Sequence, residues 1–193
     1  SVECAERGID PFEINLVVAD PTRGGGAITL AATPAIKQLG VPSRGRIYEI
    51  PKDIEYITAT PRMTLYMQYS AKIYSIFLKF VSCEDIHVYS IDESFLDITS
   101  YLSLYKMNAK QLAKTIIDEI YNVTGITATV GIGTNLFLAK VALDITAKHA
   151  KDFMGYLDED LFKQLIWHHT PITDVWMIGP GTANRLAALG IKD

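Results

Sequence analysis

The sequence predicts an α+β domain in which helices cover one face of a mostly antiparallel sheet. The main observation is the order of the elements, because a β-hairpin, a helix, a strand and a second helix follow one another between residues 87 and 148. The chain has 193 residues, 49% of them hydrophobic, which is enough for one sizeable core. Its apolar runs are shorter than the roughly 18 residues that a membrane-spanning helix needs, so we expect no membrane partner.

The first half of the chain contains two predicted strands and two predicted helices. Residues 1–8 resemble the end of a helix that stops at a glycine, and the apolar runs 14–19 and 27–32 predict strands separated by a turn-rich loop. A threonine cap followed by proline predicts a short helix over 33–40. Apolar residues at steps of three and four predict a long helix over 62–81.

The second half begins with the predicted hairpin. Residues 87–91 and 94–98 are two short apolar runs with only Asp92 and Glu93 between them, which indicates a tight two-residue turn. The remaining pattern predicts one more strand and four helices, and Pro171 marks a boundary before a small C-terminal module. These elements are a helix over 108–123, a strand over 126–133, and helices over 135–148, 161–168 and 182–189.

The charge and the cysteine content limit the classes of function. Eighteen Lys and Arg against 22 Asp and Glu give a net charge of −4, which excludes a strongly basic coat for nucleic acid but leaves room for a local basic groove. The two cysteines, Cys4 and Cys83, form no disulfide framework, so we expect the protein in a reducing cytoplasm.

The Asp92-Glu93 pair is the strongest candidate for chemistry. Two-residue hairpin turns favour asparagine, aspartate or glycine combinations that accept a positive φ, and Asp-Glu is a poor choice. Adjacent carboxylates also repel each other unless a cation lies beside them. A pair of divalent metal ions would supply that charge and would suit phosphoryl transfer. An exposed acidic turn without further function is the alternative.

Basic and glycine-rich segments are candidates for phosphate contacts. In the segment 178–191 an apolar residue and two glycines lead into a helix, and Gly179, Gly181 and Thr182 would present backbone amides to a nucleic-acid backbone. A simple helical packing unit and solvated basic faces are the alternatives. The basic candidates are Lys37, Arg44, Arg46, Lys140 and Lys148.

Three of these segments together resemble the Y-family translesion DNA polymerases, most closely the UmuC-like bacterial branch. Residues 89–97 (YSIDESFLD) are similar to the catalytic palm motif of that family. Residues 131–144 (GIGTNLFLAKVALD) resemble the strand and helix that follow it, and residues 178–181 (IGPG) resemble the start of its thumb.

The resemblance implies a fold and a set of site residues. It implies a polymerase palm with a ferredoxin-like antiparallel sheet over 1–12 and 82–170, fingers and a connecting helix over 13–81, and the start of a helical thumb over 171–193. Asp92 and Glu93 would coordinate two Mg²⁺ ions. Lys37 and Lys148 would bind the triphosphate, although Lys148 lies one residue away from the position of the family lysine. Pro34 stands where many members carry a tyrosine that contacts the nucleotide.

The resemblance also implies partners. Primer–template DNA and deoxynucleoside triphosphates are expected, and a sliding clamp and a recombinase filament would bind through regions outside this chain. The first catalytic aspartate would precede Ser1 and the little-finger domain would follow the thumb, so we expect a fragment that does not polymerise DNA alone.

Two other classes of function stay open. A non-catalytic nucleic-acid-binding module would bind DNA with a strong salt dependence and without metal. A palm-type nucleotidyl cyclase would act on a purine triphosphate without a template.

Overall fold

The computed structural model describes residues 1–191, apart from the side chain of His149. These residues form two compact units, the first made of residues 1–75 and 123–126 and the second of residues 76–122 and of the chain from residue 127 onward. The mixture of short sheets and helices confirms the α+β prediction. The assignment of palm, fingers and thumb stays a prediction, and residues 192 and 193 of the predicted thumb segment lie outside the described residues.

The first unit is built around a three-stranded sheet with the order β2-β1-β3. Strand β1 pairs antiparallel with β2 and parallel with β3. Its elements are α1 (Val2–Ala5), β1 (Leu16–Val18), β2 (Ala31–Ala32), α2 (Pro34–Gln38), β3 (Ile57–Ala59) and α3 (Met63–Phe77), whose last two residues belong to the second unit.

Strand β1 is buried on both faces, which explains its continuous apolar sequence. Side chains alternate across a strand, so Leu16 and Val18 lie on one face and Val17 on the other. Leu16 and Val18 pack with Cys4 of α1, whereas Val17 packs with Ile36 of α2. The first unit therefore has two small cores, one on each side of its central strand.

The second unit contains two pairs of strands and most of the helices. Strands β4 and β5 form an antiparallel hairpin, and β6 and β7 pair parallel. Its elements are β4 (Ile86–Val88), β5 (Ser94–Leu96), α4 (Tyr101–Tyr105), α5 (Ala109–Thr124), β6 (Val130–Gly133), α6 (Leu136–Val141), β7 (Met154–Leu157), α7 (Glu159–Leu165) and α8 (Pro180–Ala188); the last two residues of α5 belong to the first unit.

The pairing of the described strands is mixed rather than mostly antiparallel. The sequence patterns do not predict β3 or β7, and each of these strands pairs parallel with a predicted one. Both parallel pairs are joined by long connections that contain a helix, α2 in one case and α6 in the other. Such crossovers return the chain in the same direction, whereas a short turn reverses it.

The two faces of β6 explain its alternating sequence. Val130 and Ile132 pack toward α5 with Ala113 and Ile117. Gly131 lies on the opposite face, where α6 approaches so closely that a Cβ on this glycine would lie 2.1 Å from the carbonyl oxygen of Ala139. Glycine is thus required here by space, and α6 is held directly against the strand.

The predicted helix over 135–148 is one α-helix followed by two irregular turns. Asn135 caps α6 by accepting a hydrogen bond from the backbone N–H of Leu138. After α6 the chain forms a π turn over Ala142–Thr146 and a 3₁₀ turn over Ala147–His149. Within the part of the chain that the structure describes, no helix has the length and apolar character needed to cross a membrane.

Candidate active site

The acidic pair lies at the tip of the hairpin, but the tip is longer than a two-residue turn. The paired residues end at Val88 and Ser94, and the backbone N–H groups of Tyr89 and Ser90 both donate to the carbonyl oxygen of Glu93. The prediction of a tight turn is therefore wrong. In this longer loop neither Asp92 nor Glu93 has the positive φ value that a two-residue turn would require.

Asp92 is exposed and held by its own loop. The Ser90 hydroxyl donates a hydrogen bond of 2.8 Å to Oδ1 of Asp92. Its exposure leaves the carboxylate accessible from solvent on the loop that also carries Glu93.

Glu93 is partly buried beside a lysine from α6. The ammonium of Lys140 donates to Oε1 of Glu93 at 2.5 Å and to Oδ1 of Asp144 at 3.2 Å. Burial acts to lower the pKa of Lys140, but the hydrogen bonds to both carboxylates outweigh it and raise the pKa above its usual value. Lys140 thus stays charged and neutralises part of the negative charge of Glu93 and Asp144. Its role as a phosphate contact stays a prediction.

Aromatic rings surround this ion-pair network. The ammonium of Lys140 lies 5.9 Å from the ring centroid of Tyr89, within the range of a cation–π contact. The indole N–H of Trp176 donates to the Tyr89 hydroxyl at 3.3 Å, and the two rings meet edge to face. Phe95 and Phe137 also lie against Trp176, so the segment before α8 packs onto the hairpin.

Lys148 lines a cavity next to the ion-pair network. The cavity has a volume of about 370 Å³, and Asp144 forms part of its wall together with Lys148, His169 and Asp174. His169 Nε2 lies 2.9 Å from Oδ2 of Asp174. Lys148 is exposed at this opening, and Asp144 connects the cavity to Lys140 and thereby to Glu93.

Lys37 lies in the other compact unit. It is exposed near the end of α2. Its role as a triphosphate ligand stays a prediction.

The predicted DNA-binding residues lie at the start of α8. Gly179 is the N-terminal cap, and its carbonyl oxygen accepts hydrogen bonds from the amides of Thr182 and Ala183. Gly181 is exposed, and the guanidinium of Arg185 donates to the Thr182 hydroxyl at 3.4 Å. Arg185 belongs to the last turn of α8, and its guanidinium brings a positive charge back to Thr182. The sequence pattern did not single out this arginine.

Asp92 and Glu93 have the ligand chemistry that a magnesium ion prefers, since carboxylate oxygens are hard donors. Among the described residues, which are 1–191 without the side chain of His149, no group of three or more His, Cys, Asp or Glu side chains is arranged to hold a metal ion. Asp92 and Glu93 therefore fit part of a divalent metal site and not a complete set of ligands.

Comparisons with known proteins agree with the motifs. Residues 2–144 match the impB/mucB/samB family. The chain is 33% identical to UvrX and 34% identical to DNA polymerase IV 2, both from Bacillus subtilis (strain 168), in each case over all 193 residues. These alignments cover 45% and 46% of the two relatives, so the chain spans a little less than half of their length.

The fold agrees with solved polymerase structures as well. A Y-family DNA polymerase chimera of Dbh and Dpo4 superposes with a TM-score of 0.78 and 25% sequence identity. The superposition covers 100% of this chain and 56% of the chimera.

Proposed function

The chain belongs to the impB/mucB/samB family, within the Y-family polymerases, and from this premise we propose that it forms part of the catalytic region of a template-directed translesion DNA polymerase. The observation that carries this proposal is the hairpin loop, which presents Asp92 and Glu93 together beside a basic residue of the following helix. A binding module has no need of this carboxylate pair, and a cyclase has no need of the thumb-like α8.

The proposed reaction is the addition of deoxynucleotides to a primer. DNA polymerases of this family are nucleotidyltransferases that use divalent metal ions. We propose Mg²⁺ here, with Asp92 and Glu93 among its ligands, and a pair of such ions would stabilise the attacking and leaving oxygens of the phosphoryl transfer. The chain's own part is to hold these carboxylates on a fixed loop and to keep Lys140 charged beside them.

The π turn supports Lys148 as the triphosphate ligand. Its hydrogen bond runs from the Ala147 amide to the carbonyl oxygen of Ala142, five residues earlier, so the turn contains one more residue than an α-helical turn. Lys148 lies one residue away from the position of the family lysine. The extra residue in the π turn offsets this difference, because it places Lys148 where an α-helix would place the preceding residue. Lys148 then faces the cavity that Asp144 also lines.

Lys37 is also proposed as a triphosphate ligand, on the family resemblance. Gly179, Gly181 and Thr182 are proposed to contact the DNA backbone at the start of α8, where the exposed Gly181 and the guanidinium of Arg185 beside Thr182 favour an anion. We propose that the protein acts in the cytoplasm. Contacts of the whole protein with a sliding clamp and a recombinase filament rest on the family resemblance.

Primer extension by a chimera would test the proposal. The chain would replace the matching stretch of DNA polymerase IV 2 from Bacillus subtilis, and template-dependent extension would be measured with Mg²⁺. We expect the chimera to extend a primer and Asp92→Asn or Glu93→Gln to reduce extension at least 100-fold, on the order of the loss when a transition-state interaction is removed. Glu84→Gln, which changes an exposed carboxylate before the same hairpin, is the matched control. Full extension by the Asp92 and Glu93 variants would show that the site assignment is wrong.

A deletion would test the role of the π turn. Removing Ile145 should convert the turn to α-helix and rotate Lys148 away from the cavity by about one residue, roughly 100°. We expect a higher KM for the incoming nucleotide with little change in the affinity for DNA. An unchanged KM in a folded chimera would remove the support for Lys148.

A further inference from the structure

Lys140 is buried to an extent that is unusual for lysine. Its residue is only 6% exposed, and its helix neighbours Val141 and Ala142 are fully buried. Lysine is rarely this buried unless its charge is paired. The position would otherwise suit an apolar side chain.

The ammonium of Lys140 has three partners. Glu93 Oε1 and Asp144 Oδ1 accept hydrogen bonds from it, and it lies over the face of the Tyr89 ring, 5.9 Å from the ring centroid. Two of these partners come from the hairpin loop and one comes from the π turn. Lys140 therefore joins the loop that carries the acidic pair to the helix that leads to Lys148.

The backbone beneath Lys140 is fixed. A Cβ on Gly133 would lie 2.2 Å from the amide nitrogen of Ala139, and a Cβ on Gly131 would lie 2.1 Å from its carbonyl oxygen. The residue immediately before Lys140 is thus in close contact with strand β6. The Cα of Lys140 is therefore held at a fixed position relative to β6, and its side chain extends from there to Glu93.

Stability alone gives little reason for this arrangement. Replacing a buried ion pair by well-packed apolar residues is often neutral or even stabilising. A lysine at such a position is better explained by where its ammonium group is placed than by stability.

We propose that Lys140 is a positioning residue for Glu93, holding Oε1 so that the other carboxylate oxygen is directed to a divalent cation. This inference rests on the proposed function, in which Glu93 is a metal ligand. Loss of the residue that orients a metal ligand typically lowers the affinity for the metal 10- to 100-fold.

A double-mutant cycle on the full chain separates positioning from simple charge. Mn²⁺ binding would be measured by electron paramagnetic resonance of the free ion for the unmodified chain, Lys140→Met, Glu93→Asp and the double variant. Removal of the lysine charge changes the electrostatic attraction of Mn²⁺ by the same amount whether Glu or Asp occupies position 93. This contribution therefore cancels in the cycle. Shortening Glu93 should weaken Mn²⁺ binding 10- to 100-fold when Lys140 is present and less than about 3-fold when methionine replaces it.

The outcomes distinguish the two proposals. Equal losses in both backgrounds would overturn the positioning role and leave Glu93 as a ligand. Binding by Glu93→Gln that equals that of the unmodified chain would overturn the metal site itself, and the positioning role with it. Lys163→Met, which removes an exposed helical lysine paired with Glu159, is the matched control and should bind Mn²⁺ normally.

A second measurement covers the case in which Lys140→Met does not fold. In the unmodified chain, Mn²⁺ should broaden the nuclear magnetic resonance signals of the Lys140 ammonium, because paramagnetic relaxation falls steeply with distance. Glu93→Gln should abolish that broadening. Lack of broadening in the unmodified chain would contradict the proposal.

Discussion

The buried carboxylate of Glu3 should control the acid stability of the first unit. Its side chain is 2% exposed in α1, and Arg62 donates to both of its oxygens, at 2.9 Å from Nε and 2.8 Å from Nη2. The Tyr66 hydroxyl donates at 2.7 Å, and Arg7 also donates to the same carboxylate. The perturbation is Glu3→Gln, which keeps the shape and removes the charge.

The magnitude follows from the pKa. The hydrogen bonds from Arg62, with those from Arg7 and Tyr66, outweigh burial and lower the pKa of Glu3 from 4.5 to about 2. A difference of about 2.5 pKa units at about 1.4 kcal/mol each corresponds to roughly 3 to 3.5 kcal/mol of stability. Because the pKa is lowered in the folded state, this contribution is fully present above pH 4.5 and is lost as the pH falls toward 2.

Urea unfolding between pH 7 and pH 2 would measure the effect. Glu3→Gln should lower the free energy of unfolding by about 3 kcal/mol at pH 7 and flatten its dependence on pH between 4.5 and 2. Glu13→Gln, an exposed carboxylate of the same unit, is the matched control and should change stability by less than about 0.5 kcal/mol. The reasoning is refuted if Glu3→Gln retains the acid dependence of the unmodified chain.

Three further predictions concern the second unit, each measured by urea unfolding. Gly131→Ala should destabilise it by about 3 kcal/mol or more, because the added methyl group overlaps backbone, whereas Gly181→Ala, in the same unit and with open space around it, should not destabilise it; similar losses for both would contradict the close packing. Asn135→Ala should cost about 1 kcal/mol through the lost helix cap, and a neutral result would disprove the cap. Trp176→Phe should cost about 1 kcal/mol more in the unmodified chain than in a Tyr89→Phe background, because the packing loss is common to both and only the unmodified chain also loses the hydrogen bond; equal losses would exclude that bond.

Segments with a regular spacing of apolar residues were predictable, because the residues at that spacing are the ones that become buried. Of the apolar seam expected for α5 at Leu112, Ile116, Ile120 and Val123, the first three residues are buried and Val123 is exposed. The hairpin that carries Asp92 and Glu93 is confirmed by the antiparallel pairing of β4 and β5, although Val88 is exposed. Strand β3 shows no such pattern, because Ile57 is exposed and only Ala59 is buried, and in β7 a glycine interrupts the apolar run.

The contacts that organise the site join residues far apart in sequence. Glu93 and Lys140 are separated by 47 positions, and Trp176 and Tyr89 by 87, so no local pattern connects them. The i,i+4 spacing of Lys140 and Asp144 is the one signal that favoured an ion pair on the helix. Glu3 and Arg62 lie 59 positions apart and show no comparable sign.

The glycines of β6 also set the height of α6 above the strand, and this affects how relatives are compared. A homologue with a larger residue at the position of Gly131 must move its helix outward by the thickness of a side chain, because the hindering atoms are backbone. The lysine on that helix would move with it and would no longer reach the hairpin carboxylate from the same point. In such a homologue a longer arginine at position 140, or a shifted loop around position 93, would be the expected compensation.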